Sequence, residues 1–226
     1  MDHRTDAADL LDELLIRRHS CRAFLPGEVP AETIERLFRA AGRTASWCNT
    51  QPWQLFLSGP AATAQLRGLL EDACSSGSPA PDLPFPAGYE GVHLARRRAS
   101  GFQLYEAVGI KRGDREAADV QARRNFAMFD APHVVIVTVP SSLVPYALVD
   151  CGGWVANFLL AAEAHGVSAI PQAALASYSD VLRAFLDIPD ELLVVCGISF
   201  GWGDREHPVN GYRTARADIG ETLHRR

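Results

Sequence analysis

Apolar positions in the first third of the chain recur with the period of an α-helix. Leu10, Leu11, Leu14 and Leu15 share one face and predict a helix over roughly residues 7–18. Downstream, the pattern predicts two more helices and a short strand between them: helices over roughly residues 30–42 and 61–74, and a strand at 53–57. The second helix has proline in its first turn and glycine at its end, which are ordinary start and stop signals.

The second half of the chain contains two long apolar runs of strand type. Residues 133–139 and 192–200 are almost continuously apolar, which is typical of strands covered on both faces. Residues 146–165 predict a long apolar helix, expected to be the most buried one, whose two adjacent glycines suit packing against a second copy. A brief strand over 167–170 and a helix ending at 186 follow. The pattern predicts one domain, a mixed sheet surrounded by helices.

Two segments depart from this regular pattern. Residues 75–91 contain four prolines and predict a long surface loop, of the kind that often covers a site. Two helical stretches divided near Gly113 then run to residue 129. The tail, residues 201–226, is polar and basic, and is either disordered or laid along a partner subunit.

Composition narrows the class of protein. The 226 residues are 47% hydrophobic and 22% charged, as in an ordinary soluble globular chain. A net charge of −5 argues against a nucleic-acid partner, because such proteins carry a broad positive face. No apolar run approaches the ~18 residues of a membrane span, and the first residues do not resemble a secretion signal. The five cysteines are scattered, which indicates a reducing compartment, so we expect a cytoplasmic protein without membrane contact.

A dense group of donors follows the first predicted helix. It consists of Arg17, Arg18, His19, Ser20 and Arg22. The guanidinium fork is the side chain best suited to grip a phosphate, so this group predicts a phosphate site. The alternative is a solvated basic helix end that complements the helix dipole.

A second basic pair, Arg213 and Arg216, lies near the other end of the chain. Two remote basic groups that converge on one phosphate would explain both. Coincidental surface arginines are the alternative.

Familiar catalytic motifs do not occur in the sequence. There is no glycine-rich dinucleotide fingerprint, no P-loop and no nucleophile elbow. The seven histidines lack metal-ligand spacing, so we expect no metal. Cys48 lies in a polar loop without a candidate base and is a weak nucleophile candidate. A ligand cradle without an acid, base or nucleophile suits chemistry carried by a bound cofactor.

Four segments in order along the chain resemble the FMN-dependent nitroreductase family. They are the phosphate motif at 18–24 (RHSCRAF), the polar stretch at 45–53 (ASWCNTQPW), the strand end at 169–174 (AIPQAA) and the basic motif at 210–216 (NGYRTAR). The chain departs from the family pattern in three places, one of which is a helical insert at residues 92–129 that is longer than in minimal members. Ala45 replaces the usual proline, and Ala173-Ala174 replaces a glutamate-glycine pair.

The resemblance implies an α+β fold, an intertwined homodimer with FMN at its interface, and a C-terminal arm on the partner. The phosphate would be held by Arg18, Ser20, Arg22, Arg213 and Arg216, with Arg17 and His19 adjacent. The loop Ser46, Trp47, Cys48 and Asn49 would reach the partner's flavin. The backbone of Pro171, Gln172, Ala173 and Ala174 would face the flavin N5 edge, and Asn125 would face flavin or substrate. Residues 75–129 would shape the substrate pocket.

The implied activity is transfer of two electrons from NAD(P)H through FMN to nitroaromatic or quinone-like acceptors, with the chemistry on flavin N5. Two alternatives remain open at this stage: other flavin chemistry on the same fold (enone reduction, reductive dehalogenation, flavin breakdown), or a non-catalytic regulatory protein that binds a phosphorylated ligand. NADPH and NADH are not distinguished. Arg96, Arg97 and Arg98 are candidates for a 2′-phosphate pocket, and a solvated helix face is the alternative.

Overall fold

Four antiparallel strands form the centre of the molecule. The structure, a computed structural model, describes residues 3–226, with side chains from Asp6 onward. Within that range the strands are β1 (Gln54–Ser58), β2 (His133–Pro140), β3 (Ser168–Gln172) and β4 (Leu192–Gly201), which pair in the order β1-β2-β4-β3. Ser20 adds a parallel bridge to Ala169 of β3, so the sheet is mixed at that edge.

Helices cover both faces of the sheet. Their bounds are α1 (His3–Arg17), α2 (Ala31–Ala41), α3 (Pro60–Ser76), α4 (Gly91–Ala107), α5 (Arg115–Arg123), α6 (Tyr146–Ala164) and α7 (Ser179–Leu186). The α2 and α6 helices pack on one face, and α3 and α7 on the other. The predicted α+β class, a mixed sheet flanked by helices, is confirmed.

The two central strands are buried on both faces, as their sequences predict. Along β2, Val135, Val137 and Val139 join the core beneath α2 and α6, whereas Val134 and Ile136 join the core beneath α3 and α7. This division follows from the two-residue period of a strand, which sends successive side chains to opposite faces. A strand that contributes to two apolar cores has no polar face, so it reads as a continuous apolar run.

The long helix α6 is buried on one side only. Trp154 and Phe158 are fully buried against the sheet, but Val149 is 71% exposed on the opposite side. By length and composition, α6 is the one helix of the described chain that could cross a membrane. The prediction that no apolar run approaches that length was therefore wrong. Its aromatic packing on the sheet is that of a core helix.

The insert after the proline-rich loop ends earlier than predicted. Asp114 caps the start of α5 by accepting from the Ala117 N–H at 3.0 Å, and the helix ends at Arg123 rather than near residue 129. Met128 and Phe129 then adopt left-handed φ values of 51° and turn inward, where they are buried. Arg67 of α3 donates to two backbone carbonyls of this turn, those of Ala127 at 2.9 Å and Ala131 at 3.0 Å. The turn thus depends on a distant side chain.

Candidate functional site

The two ends of the chain are bound together beside β3. The Leu25 N–H donates to the Trp202 carbonyl at 2.7 Å, and the Asp204 N–H donates to the Ala23 carbonyl at 3.0 Å. The buried Asn210 side chain accepts from the Arg22 N–H at 2.8 Å and donates to the Ala23 carbonyl at 2.9 Å. These bonds place the arginines of the tail next to those that follow α1.

A cavity of about 650 Å³ opens where these two segments meet. We call it the arginine cavity. Its lining is Leu15, Ile16, Arg18, His19, Ser20, Arg22, Ser100, Tyr212, Arg213, Thr214 and Arg216. This lining contains four arginines and no carboxylate. The sequence-predicted convergence of the N-terminal and C-terminal arginines is thus present in the structure.

The guanidiniums of the arginine cavity repel one another. Burial lowers the pKa of Arg18, and the charges of Arg216 and Arg213 lower it further. Burial and the same Arg213 charge lower the pKa of His19. In the described part of the chain, none of the four arginines forms an ion pair with a carboxylate. An anion in the cavity would relieve this repulsion, so the donor set fits a phosphate group.

Arg22 is held in place by its neighbours. Its guanidinium donates to the Ser20 carbonyl at 3.2 Å and to the Tyr212 hydroxyl at 3.1 Å. Arg22 is half-buried, whereas Arg213 and Arg216 are exposed. A phosphate would therefore meet the half-buried Arg22 guanidinium on the wall and the exposed Arg213 and Arg216 guanidiniums at the rim.

Arg17 points away from the arginine cavity. It forms ion pairs at 3.0 Å with Glu13 on its own helix and with Glu163 of α6. Its charge is therefore already balanced by carboxylates. Arg17 and Glu163 line a separate neighbouring cavity of about 510 Å³. Arg17 does not line the arginine cavity.

The segment Pro171–Ala174, at the end of β3, presents backbone groups and no ionisable side chain. Gln172 is only 3% exposed, and its side chain turns into the core. There it accepts from the Ser199 hydroxyl at 2.6 Å and donates to the Asn125 carbonyl at 2.8 Å. Ala173 and Ala174 begin a 3-10 turn, whose first N–H groups have no partner within the turn.

Asn125 lies in the turn that follows α5. Its amide donates to the Ala122 carbonyl at 2.9 Å. Gln172 ties the backbone of the same residue to β3. The predicted role of Asn125 toward flavin or substrate remains a prediction.

The loop at residues 46–49 lies beside α6 and does not contribute to the arginine cavity. The Trp47 N–H donates to both carboxylate oxygens of Asp150 at 3.2 Å, and its ring meets Tyr146 edge-on at 4.3 Å between centroids. Ser46 accepts from the Gln51 N–H at 2.9 Å. Cys48 and Asn49 have left-handed φ values of 50° and 56°, so the loop projects a tight turn. It borders the exposed side of α6.

Sequence reasoning missed several members of the site. Tyr212 and Asn210 stand inside the quoted C-terminal motif, yet only its arginines were predicted to bind. Both residues accept hydrogen bonds from Arg22 and thereby hold the N-terminal and C-terminal motifs together. Ser100 comes from α4, and no local pattern marks it.

Comparison with known proteins agrees with this geometry. A model of the nitroreductase family matches residues 15–202. The chain is 35% identical over 218 residues to Nitroreductase NfnB of Mycolicibacterium smegmatis, covering 96% of this chain and 93% of that protein. It is 31% identical over 218 residues to a 4-nitrobenzoate reductase of a Nocardioides species, covering 94% and 88% respectively.

A solved structure also matches nearly the whole fold. The FMN-dependent nitroreductase NfnB from Mycobacterium smegmatis in complex with NADPH superimposes with a TM-score of 0.93 at 34% identity, covering 97% of this chain and 99% of that one. Family model, sequence relative and solved structure agree over almost every residue of the fold. The chain therefore belongs to the nitroreductase family.

Proposed function

We propose that this protein is an FMN-dependent oxidoreductase that passes two electrons from NAD(P)H to nitroaromatic acceptors. The observation that carries the proposal is the arginine cavity, where both chain ends supply guanidiniums and no lining residue is acidic. The relatives named as nitroreductases support the reaction, and the 4-nitrobenzoate reductase supports a small aromatic acceptor. Neither the regulatory alternative nor other flavin chemistry has comparable support.

In this proposal the arginine cavity holds the FMN phosphate. Arg18, Arg22, Arg213 and Arg216 would pair with its oxygens, and the Ser20 hydroxyl would donate to them. His19 lies among these cations, where burial and the Arg213 charge lower its pKa, and its Nδ1 lies 3.2 Å from the Arg17 carbonyl oxygen. When bound, FMN supplies the two-electron chemistry that no side chain of this site can perform.

The strand end after Pro171 would face the reactive edge of the ring. Ala173 and Ala174 present backbone N–H donors and no ionisable side chain there. Gln172 fixes these donors by anchoring β3 to Ser199 and to the end of the insert. The chain therefore orients the cofactor at this edge and leaves proton supply to solvent.

We also propose that the protein is a homodimer. The supporting observation is the exposure of apolar side chains on α1 and α6, where Ile16 is 75% and Val149 is 71% exposed. Such surfaces on a soluble chain mark association sites. Leu15 and Ile16 also border the arginine cavity, so a partner seated there would close it. The loop at residues 46–49 lies on the same side of the molecule, where it could reach the partner's flavin.

The cytoplasm is the compartment we propose. The support is the set of five unpaired cysteines, which suits a reducing environment. Two of them, Cys21 and Cys151, are buried in apolar surroundings.

Flavin retention and reduction test the proposal directly. The purified protein should carry FMN, and NADPH or NADH should bleach the flavin absorbance without oxygen. Arg18→Ala should weaken FMN binding about 10- to 100-fold, the value of one charge-assisted hydrogen bond. Arg39→Ala on the exposed side of α2 is the matched control and should retain FMN. A wild-type protein that neither binds FMN nor oxidises NAD(P)H would overturn the proposal.

A further inference from the structure

Three consecutive arginines on α4 have different surroundings. Arg96 forms an ion pair with Glu221 of the tail at 3.0 Å. The Arg97 guanidinium lies 5.4 Å from the centre of the Tyr89 ring, a cation–π distance. Within the described part of the chain, neither Arg97 nor Arg98 pairs with a carboxylate. Two of the three charges are thus uncompensated.

Arg97 and Arg98 border a cleft of about 340 Å³ between α4 and the tail, which we call the α4 cleft. Arg22 and Tyr212 form its opposite wall, and Phe102 and Tyr105 line it one and two turns below Arg98. Positions 98, 102 and 105 share a helix face because side chains four and seven residues apart lie above one another. The cleft has no acidic lining residue.

The α4 cleft adjoins the arginine cavity. Both include Arg22, Ser100 and Tyr212, and the hydrogen bond between Arg22 and Tyr212 at 3.1 Å stands on their shared wall. A single FMN phosphate, held at Arg18 and the tail arginines, leaves Arg97 and Arg98 free for a second anion.

We propose that the α4 cleft binds the adenosine 2′-phosphate of NADPH and so makes NADPH the preferred electron donor. Guanidiniums bind the phosphate through paired N–H groups, and the aromatic walls suit a purine face. The two nicotinamide dinucleotides differ only in this phosphate, so the cleft discriminates between them. The inference rests on the proposed function, because it presumes a nicotinamide donor.

The test uses the FMN-loaded protein and the double variant Arg97→Ala/Arg98→Ala. kcat/KM for NADPH should fall at least 10-fold, whereas kcat/KM for NADH should change less than about 3-fold. Binding of adenosine 2′,5′-bisphosphate, measured by calorimetry, should weaken by the same factor as kcat/KM for NADPH. Arg98→Lys keeps the charge but loses the fork, and it should recover only part of the preference. Arg39→Ala should match wild type.

Three results would overturn the inference. An equal fall for both nicotinamides, or no fall for either, would remove the cleft from donor selection. Loss of FMN from the double variant would assign these arginines to the flavin phosphate. A raised KM for 4-nitrobenzoate with unchanged NADPH kinetics would assign them to the carboxylate of the acceptor. Failure of the proposed function looks different, because the wild-type protein would then oxidise neither nicotinamide, and the bisphosphate titration would still report on the cleft.

Discussion

Replacing Gln172 by alanine should destabilise the protein through a buried polar network. The Gln172 side chain accepts from the Ser199 hydroxyl at 2.6 Å and donates to the Asn125 carbonyl at 2.8 Å. Ser199 is fully buried, so its hydroxyl would lose its Gln172 partner inside the core. A buried unpaired polar group costs about 1–3 kcal/mol, and the lost side-chain volume adds about 1 kcal/mol. We expect the free energy of unfolding to fall by about 2–4 kcal/mol.

Urea unfolding at one fixed protein concentration measures this change, since subunit association makes stability depend on concentration. Gln65→Ala, on the exposed side of α3, is the matched control and should cost less than about 0.5 kcal/mol. Ser199→Ala removes the same hydrogen bond from the other side, so the double variant should cost clearly less than the two single changes added together. Additive losses, or a Gln172→Ala loss no larger than that of the control, would refute the reasoning.

Two further predictions concern thiol reactivity and assembly. Burial raises the pKa of Cys151 and of Cys196 to about 12, so both thiols stay protonated at pH 8. Iodoacetamide should therefore label them in urea but not in the native protein, as measured by peptide mass spectrometry. Equal labelling in both conditions would contradict this prediction. Val149→Asp places a charge on the exposed face of α6 and should convert the proposed dimer to a monomer, as measured by sedimentation velocity. Arg39→Ala is the control and should leave the dimer intact. If the Val149→Asp variant remains a dimer, the interface lies elsewhere.

The sequence was informative where one local rule decides the outcome. The run at residues 133–139 predicted a doubly covered strand, because only such a strand dispenses with a polar face. The end of α5 was missed, because Arg67, about sixty positions earlier, bonds the carbonyls of the left-handed turn at 128–130. No window along the chain contains both parts of that contact.

The same limit applies to the candidate site. The cluster after α1 was identified, but its members could not be sorted, because Glu163 draws Arg17 away across 146 positions. Helix α6 was correctly predicted to be the most buried helix, with six buried residues, although Val149 on its opposite side is 71% exposed. An apolar side chain on the exposed face of a helix has the same sequence signature as one in the core.

The pairing of residues 20–25 with the segment around 202–210 has a consequence for how the protein is made. The four strands end by Gly201 and Trp202 completes the core beneath α2 and α6, whereas the arginine cavity also needs residues 212–216. A chain synthesised only to residue 211 therefore contains all four strands but lacks Tyr212, Arg213 and Arg216 of the cavity lining. Termination at that point would remove two of the four guanidiniums that line the cavity.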